Sequence, residues 1–509
     1  MALAKINSAA LLGLDAYLVE VEADISAGLP ALNIVGLPDK AIEESKERVR
    51  SAIRNSGNSF PMSRLTVNLA PADIKKEGPS FDLPIAIGVL VADGQLIQEG
   101  LRGALFAGEL SLDGRLRSVN GILSITLLAK TKGLHSIYLP VENAAEAGLI
   151  SGIDIYPIKN LKELIFHLKK EKKISVYRPK KIINDEEIEY EYDFAYVKGQ
   201  EQAKRALEIA AAGAHNVLLS GPPGSGKTML AKSLPSILPK MSEDEALEVT
   251  KIFSVCGMLT DKEPIVRQRP FRSPHHTASN IALVGGGQWP RPGEISLAHR
   301  GVLFMDELPE FTRGVLEALR QPLEDGIVTV SRAQGSLKFP ASFILIAAQN
   351  PCPCGYLGDP KKNCICAPSQ ILRYQKKISG PLLDRIDLHV EVPRVKYEKL
   401  TSEAVSESSK NVRVRVESAR FKQTKRFKDI TIKTNSEMTP RLIKKYCLID
   451  ETSKQLLKNA LVQFNLSARA YHRILKIART IADLANSEQI GAVHIAEAIQ
   501  YRPKSTNVY

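Results

Sequence analysis

The sequence feature that most restricts the fold is a glycine-rich segment, GPPGSGKT, between an apolar run, NVLLS, and a helical run, MLAKSL. It fits the pattern GxxxxGK[ST] of a phosphate-binding loop (P-loop). Its residues are Gly221, Pro222, Pro223, Gly224, Ser225, Gly226, Lys227 and Thr228. The glycines let backbone N–H groups curl around phosphates, Lys227 neutralises the β- and γ-phosphate charge, and Thr228 offers its hydroxyl to Mg²⁺. A chance glycine turn would need neither the strand nor the helix, so we predict a site for ATP and Mg²⁺.

Two further apolar runs end in polar residues that suit the same site. The run GVLFM is followed by Asp306 and Glu307, and the run FILIAA is followed by Gln349 and Asn350. Because parallel strands present ligands at their carboxyl ends, we predict that Asp306 holds the Mg²⁺ shell and that Glu307 polarises the attacking water. Asn350 would orient the same water or sense the γ-phosphate. The alternatives are ordinary strand-end carboxylates and a strand-terminal turn amide.

The 509 residues are too many for one hydrophobic core. Residues 1–166 mix β-like and helical runs, which predicts an α+β domain, and residues 167–192 carry the segregated basic and acidic blocks of an exposed linker. Residues 193–395 repeat an apolar strand, a polar loop and a helix, which predicts a parallel sheet with helices on both faces. Residues 396–509 contain amphipathic helical segments. The predicted fold class is therefore α/β with a helical C-terminal domain.

The charge balance bears on partners. The net charge of +13 and the isoelectric point near 9.2 favour a polyanion such as nucleic acid, because clustered Lys and Arg release counterions from phosphates. Solvated surface charge is the alternative, and the net charge does not distinguish it from a nucleic-acid-binding surface. The N-terminus reaches acidic residues before a signal-like apolar core is complete, and no run approaches the roughly 20 apolar residues of a membrane span. We expect a cytoplasmic protein without membrane contact.

Four of the six cysteines lie in one short segment, 352–366, which argues against a distributed disulfide framework. They are Cys352, Cys354, Cys364 and Cys366. Four thiolates on one turn-rich loop can enclose a tetrahedral Zn²⁺, although two C-x-C pairs are tighter than the usual C-x-x-C spacing. A reduced loop without metal is the alternative. The isolated Cys256 and Cys447 are expected to be packing residues.

Four longer segments carry a family resemblance: FRSPHHTASNIALVGGG, RPGEISLAHRGVLFMDELPEF, VLEALRQPLEDG and SGPLLDRIDLHVEV. Through them the chain resembles the AAA+ superfamily over essentially its whole length, and more narrowly the magnesium-chelatase-like family of the competence protein ComM (YifB). The resemblance implies an AAA+ P-loop core, a helical C-terminal lid and ATP hydrolysis. It also implies a homo-oligomeric ring, with six subunits expected.

The same resemblance makes Arg385 the candidate arginine finger that enters the neighbouring subunit's site, and Arg469 the candidate second sensor in the lid. A surface arginine with a local partner is the alternative for each. A finger in trans makes the subunit interface part of the active site, so the active enzyme would be oligomeric. Two histidines near Arg272, His275 and His276, are interpreted as a contact at the ring interface rather than as metal ligands.

The segment from Ile327 to Lys338 alternates like a β-hairpin around a Gln-Gly turn. Related motors line their pore with such a hairpin, which makes Arg332 and Lys338 candidates for contact with DNA phosphates. Solvated charges on an exposed hairpin are equally compatible with the sequence.

The N-terminal domain resembles the proteolytic domain of Lon protease, through KKEGPSFDLPIAIG and AGELSLDGRLRSVNGILSI. Ser80 falls at the position of the nucleophile. Leu123, however, occupies the position of the catalytic lysine and cannot accept the proton of the serine. We therefore interpret this domain as a catalytically degenerate scaffold or ligand-binding module, with Ser80 as a turn residue.

Three function classes follow from these features. The resemblance favours a ring-shaped ATPase that acts on single-stranded or branched DNA, by branch migration or helicase-type remodelling, during recombination of DNA taken up in natural transformation. The alternative is a metal-chelatase motor subunit that drives metal insertion into a tetrapyrrole, against which the Lon-like domain and the cysteine cluster argue. An ATP-dependent protease is disfavoured by the missing lysine.

Overall fold

The computed structural model describes residues 3–179, 190–287, 290–332, 335–395, 407–464 and 466–502, apart from the side chain of Arg332. The chain forms two compact units. The first comprises Met1–Glu186 and Glu243–Val266, and the second comprises Glu187–Ser242 and Arg267–Tyr509. Among the helices that the structure describes, none combines the length and apolar character that crossing a bilayer requires.

The first unit is built on a mixed seven-stranded sheet. Its strands, in spatial order, are Ala31–Val35, Arg64–Ala70, Asp15–Ser26, Ala4–Leu12, Ala104–Phe106, Ser136–Pro140 and Asp154–Ile158. The strand Asp15–Ser26 pairs antiparallel with both of its neighbours, and the other pairs are parallel. Alternate side chains of this strand are buried, which is the period-2 pattern of a strand with one covered face. A small antiparallel pair, Glu109–Leu110 with Leu116–Arg117, lies outside this sheet.

The helices of the first unit lie on both faces of that sheet, because Leu105 and its neighbour Phe106 on one strand belong to two separate apolar clusters. They are Lys40–Asn55, Asp82–Ala92, Ile122–Thr131, Ala144–Ala147, Leu161–Leu168 and Glu243–Val255. The first begins at Asp39, whose side chain accepts a hydrogen bond from the backbone N–H of Ile42, because a carboxylate satisfies the free N–H groups of a first turn. The helix Asp82–Ala92 is apolar on nearly all sides and is buried accordingly.

The helix Glu243–Val255 lies in a different unit from the one that the sequence predicted, which was the 193–395 core. The Ser254 hydroxyl donates to the Glu146 carboxylate at 2.5 Å, and the backbone N–H of Gly121 donates to the Ser254 carbonyl at 3.1 Å. Lys251 pairs with Asp15 at 2.7 Å. These contacts join residues more than 100 positions apart, which local patterns do not encode. The helix therefore belongs to the first unit.

The second unit contains the predicted parallel sheet, with five strands. Their spatial order is Phe271–Arg272, Val302–Met305, Ile344–Gln349, Val217–Ser220 and Leu388–Glu391, and every pair is parallel. The three inner strands are almost entirely buried, as expected for a parallel sheet covered on both faces. The sequence reading identified these three strands, whereas the two short edge strands were not singled out.

Helices and two hairpins complete the second unit. The helices are Glu201–Gly213, Lys227–Ile237, Asn280–Val284, Glu294–Leu297, Arg313–Ala318, Arg320–Asp325, Pro368–Gln375, Gly380–Leu383, Ser409–Arg426, Pro440–Tyr446, Glu451–Gln463, Ala468–Leu484 and Ala492–Gln500. The hairpins pair Gly285–Gly286 with Arg291–Pro292, and Ile327–Arg332 with Gly335–Pro340. Apolar side chains of the C-terminal helices, such as Ile474 and Ile477, share one core with the sheet.

Candidate nucleotide-binding site

The P-loop leaves the central strand Val217–Ser220 and ends where the helix Lys227–Ile237 begins. Gly224 and Gly226 have φ angles of 74° and 92°, a region that side chains disfavour. A Cβ atom on Gly221 would lie 2.2 Å from the carbonyl oxygen of Val392, so this position excludes any side chain. The loop thus takes a tight glycine turn that ends at the N-terminus of an 11-residue helix, a position that suits a phosphate.

Lys227 reaches across this turn. Its ammonium donates to the carbonyl oxygens of Gly221 at 2.7 Å and Pro222 at 3.0 Å, and to the amide oxygen of Asn350 at 3.2 Å. Burial lowers the pKa of Lys227, while Asp306 and Glu307 act in the opposite direction. The lysine and Asn350 are therefore neighbours, although 123 residues separate them in the chain.

The acidic pair follows the strand Val302–Met305, next but one to the P-loop strand. The hydroxyl of Thr228 donates to a carboxylate oxygen of Asp306 at 2.9 Å, and the other oxygen accepts the backbone N–H of Glu307, also at 2.9 Å. Glu307 has a φ of 51°, unusual for a residue with a side chain. The geometry brings Thr228, Asp306, Lys227 and Asn350 to one edge of the sheet, as the sequence predicts.

His276 is a neighbour of Glu307 that motif reasoning did not find. Its Nδ1 lies 3.4 Å from a carboxylate oxygen of Glu307, and its ring packs at a tilt against His275 with 4.1 Å between ring centroids. His275 bonds Thr277 at 2.8 Å, and Arg272 pairs with Glu294 at 2.6 Å. Neither histidine joins a group that could hold a metal among the described residues. The double histidine in FRSPHHT was visible in the sequence, but the sequence does not show that His276 faces Glu307.

Arg385 pairs with a glutamate that the sequence did not indicate, and Arg469 lies within electrostatic reach of it. The guanidinium of Arg385 is buried, donates to the carbonyl of Pro381 at 2.8 Å and forms an ion pair with Glu324. The hydrogen bond from Arg385 lowers the pKa of Glu324, and the positive charges of Arg469 and Arg473 act in the same direction. We call Arg385, Arg469 and Arg473 the arginine cluster. Arg469 and Arg473 lie one turn apart on the helix Ala468–Leu484.

The predicted hairpin is present, with one difference in its register. Its strands pair from Ile327 opposite Pro340 to Arg332 opposite Gly335, so Gly335 belongs to the second strand rather than to the turn. Lys338 lies opposite Thr329 and is exposed. The side chain of Arg332 and residues 333–334 lie outside the described part of the chain. The hairpin therefore offers Lys338 as its described cationic candidate.

The four clustered cysteines converge in space. All four Sγ atoms lie within 4.8 Å of one another, and the three measured separations among Cys352, Cys354 and Cys364 are 3.4 to 3.6 Å. None of them forms a disulfide. Backbone N–H groups of Tyr356 and Ile365 lower the pKa of the Cys354 thiol to about 6, whereas burial and the adjacent thiols raise the pKa of Cys364 to about 12. The donor set and its spacing fit a tetrahedral Zn²⁺ site.

The two isolated cysteines, Cys256 and Cys447, are not members of the four-cysteine group among the described residues. Cys447 is buried in the apolar core of the second unit, as expected for a packing residue, and burial raises its pKa to about 12. Cys256 is partly buried.

The N-terminal unit shows what surrounds Ser80. This residue lies in the short 3₁₀ turn Pro79–Phe81, and its carbonyl accepts the backbone N–H of Gly108 at 3.0 Å. Leu123 is buried in the helix Ile122–Thr131. The nearby Lys76 is fully buried and donates to the carbonyl of Pro71, and burial lowers its pKa. The lysine closest in sequence to Ser80 is thus engaged with the backbone.

Family models match three consecutive parts of the chain. The model described as magnesium chelatase, subunit ChlI, matches residues 193–400. The model described as subunit ChlI of Mg-chelatase matches residues 21–143, and the model described as magnesium chelatase, subunit ChlI C-terminal, matches residues 406–502. The first of these ranges contains the P-loop, the acidic pair and the cysteine cluster.

Individual relatives match nearly the whole chain. YifB of Salmonella typhimurium is 46% identical over 505 residues, which are 99% of this chain and 97% of the relative. The competence protein ComM of Haemophilus influenzae is 44% identical over 508 residues, 99% of this chain and 98% of the relative. The magnesium-chelatase 67 kDa subunit of Heliobacterium mobile is 30% identical over 186 residues, 31% of this chain and 28% of the relative. The chain belongs to the ComM/YifB family of magnesium-chelatase-like proteins.

Proposed function

We propose that this chain is an ATP-hydrolysing AAA+ motor that works on DNA as a ring of identical subunits. The observation that supports ATP hydrolysis most directly is the contact between Thr228 and Asp306 at 2.9 Å. A hydroxyl beside a carboxylate, at the end of a P-loop, is the pair of oxygen ligands that a nucleotide-bound Mg²⁺ requires. Membership in a magnesium-chelatase-like family supports the same activity.

Each residue of the site has its own role in the proposed hydrolysis of ATP. In our proposal the backbone N–H groups of the P-loop bind the phosphates, and Lys227 exchanges the carbonyls of Gly221 and Pro222 for phosphate oxygens. Asp306 orients the Mg²⁺ shell, and Glu307 polarises the attacking water. We propose that Asn350, whose amide oxygen accepts a hydrogen bond from Lys227, senses the γ-phosphate. Bound Mg²⁺ supplies charge neutralisation for the leaving diphosphate.

The arginine cluster supports an oligomeric active site. Arg385 pairs with Glu324 rather than with a group of the P-loop, and the positive charge of Arg469 acts on the same carboxylate. We propose that Arg385 enters the nucleotide site of the adjacent subunit and that Arg469 accompanies it as the second sensor. A ring, of six subunits by family resemblance, satisfies every such contact.

We propose that the motor moves along DNA. The relative from Haemophilus influenzae is named for competence, and the chain carries a net charge of +13 that suits a polyanion. The hairpin Ile327–Pro340, with the exposed Lys338, is a candidate for contact with the DNA backbone. In this proposal ATP hydrolysis drives translocation or branch migration during recombination of incoming DNA.

A chelatase motor is the alternative, since every matching family model is named for magnesium chelatase. Such a motor would use the same ATP chemistry with a protein partner and a tetrapyrrole instead of DNA. The cysteine cluster gives it no specific support.

The decisive experiment is steady-state ATP hydrolysis by the full chain with and without forked DNA, with Lys227→Ala as the inactive control. The proposal requires that DNA raise the wild-type rate of ATP hydrolysis severalfold. The Lys227→Ala variant should hydrolyse no ATP with or without DNA. If single-stranded, forked and four-way DNA all leave the rate of ATP hydrolysis unchanged, the proposal of a DNA motor is rejected. Turnover that survives in Lys227→Ala would reject the nucleotide site itself.

A further inference from the structure

The cysteine cluster and the P-loop are connected through the sheet. The strand Ile344–Gln349 pairs on one side of the P-loop strand Val217–Ser220, and Leu388–Glu391 pairs on the other. The cysteine segment 352–366 begins three residues after the first of these flanking strands. Arg394, just beyond the second, pairs with Asp359 at 2.7 Å and stacks on Tyr356 with 5.6 Å to the ring centroid. The segment is thus tied to both strands that flank the P-loop strand.

Gly355 brings the cysteine segment into contact with the P-loop. Its backbone N–H donates to the Cys352 carbonyl at 2.9 Å, which closes a turn between Cys352 and Cys354, and its φ is 83°. A Cβ atom at this position would lie 2.7 Å from Cδ of Pro223 and 3.8 Å from Cγ of Asn350. The turn that places two of the thiols therefore packs directly on the P-loop, where a larger residue has no room.

The sulfur geometry specifies the kind of metal centre. In a tetrahedral site with Zn–S bonds of about 2.3 Å, sulfur atoms lie about 3.8 Å apart. The separations of 3.4, 3.6 and 3.6 Å among three of the thiols are close to that value and are too long for a disulfide. An iron–sulfur cluster places its thiolates around several metal ions and needs a wider cage. The observed set therefore fits one mononuclear ion.

We propose that Cys352, Cys354, Cys364 and Cys366 bind one Zn²⁺ ion per chain, and that this ion positions the P-loop for ATP by holding Gly355 against Pro223. The inference rests on the proposed function only in taking ATP as the ligand of the P-loop. A loop with little apolar core of its own gains its structure from the metal, so loss of the ion releases the turn under Pro223. The zinc centre is a positioning element and takes no part in phosphate chemistry.

The first test measures metal content and ATP affinity in the full chain. Elemental analysis of the wild type should find one zinc per chain, and Cys364→Ser/Cys366→Ser should contain none, while Cys256→Ser keeps it. Binding of a fluorescent ATP analogue should weaken about tenfold in the double variant, with thermal unfolding recorded to verify that the fold persists. No metal, iron instead of zinc, or unchanged ATP affinity without zinc would each overturn the proposal.

The second test separates the contact from the metal. Pro223→Ala removes the ring atoms that meet Gly355 but leaves every cysteine and every P-loop glycine, and Pro222→Ala is the matched control. We expect Pro223→Ala to retain one zinc per chain and to bind the ATP analogue severalfold more weakly than Pro222→Ala. Equal affinities of the two variants would refute the contact as the route of action. The ATP affinity is measured without hydrolysis and without DNA, so this inference can be tested even if the chain is not a DNA motor. A wild type that binds no ATP would overturn both this inference and the proposed function.

Discussion

The imidazole Nδ1 of His276 lies 3.4 Å from a carboxylate oxygen of Glu307, the residue proposed to polarise the attacking water. The ring packs at a tilt against His275 and makes an edge-on contact with Phe311 at 6.5 Å between ring centroids. Glu307 itself has a left-handed backbone. The carboxylate therefore owes its direction to both the strand end and the histidine.

His276→Ala is expected to lower kcat for ATP hydrolysis about tenfold while ATP affinity stays unchanged, because the carboxylate loses a fixed orientation but the P-loop is untouched. His276→Gln, which keeps a hydrogen-bond donor, should recover part of the rate. His275→Ala is the matched control, since the His275 ring nitrogen bonds Thr277 instead. Steady-state kinetics with a binding measurement would contradict this role if KM rose and kcat did not change.

Lys227→Ala and Glu307→Gln should fail at different steps. The first removes the ammonium that meets the phosphates, so the fluorescent ATP analogue should no longer bind at micromolar concentrations. The second keeps the size and position of the side chain but removes its basicity, so ATP should bind normally and turnover should fall about 10²- to 10⁴-fold. Binding titrations beside phosphate-release assays distinguish the two. A Glu307→Gln chain with normal turnover would remove this residue from the catalytic role.

The arrangement of the P-loop edge was accessible from sequence because each of its parts is local. A glycine turn, an acidic pair and an amide each directly follow an apolar run, and parallel strands bring their carboxyl ends to one edge. Spatial proximity of Lys227 to Asn350 follows from that rule without knowledge of strand order. The parallel sheet and the helical C-terminal segment were predictable for the same reason.

Contacts between distant segments were not accessible in this way. The pairing of Arg385 with Glu324 joins residues 61 positions apart, and the placement of the helix Glu243–Val255 depends on Glu146, 108 positions before Ser254. No periodicity or motif reports such partners, because tertiary packing decides them. The same limit applies to His276 and to Gly355, whose importance appears only when the facing residue is known.

The trans role of Arg385 predicts complementation between two inactive variants. Arg385→Ala should bind ATP but lose about 10³-fold or more in turnover, because the developing phosphate charge lacks its guanidinium. Lys227→Ala has the opposite defect, an intact arginine with an empty P-loop. In mixed rings, an intact P-loop can meet an intact Arg385 from the neighbouring subunit. Mixing the two proteins should therefore restore part of the activity, and mixtures that stay as inactive as each variant alone would exclude a finger in trans.

Lys338 is predicted to carry one of the DNA contacts, since its ammonium is exposed on the hairpin and no ion pair of the described residues includes it. A lysine that neutralises one phosphate of a single strand contributes about 0.7 to the slope of log affinity against log salt concentration. Lys338→Ala should reduce the slope by about that amount, abolish most of the DNA stimulation and leave turnover without DNA unchanged. Lys458→Ala, an equal loss of charge on an exposed helical position, should change neither quantity. If both variants flatten the slope equally, the attraction is distributed over the whole basic surface, and the hairpin holds no special position on the DNA.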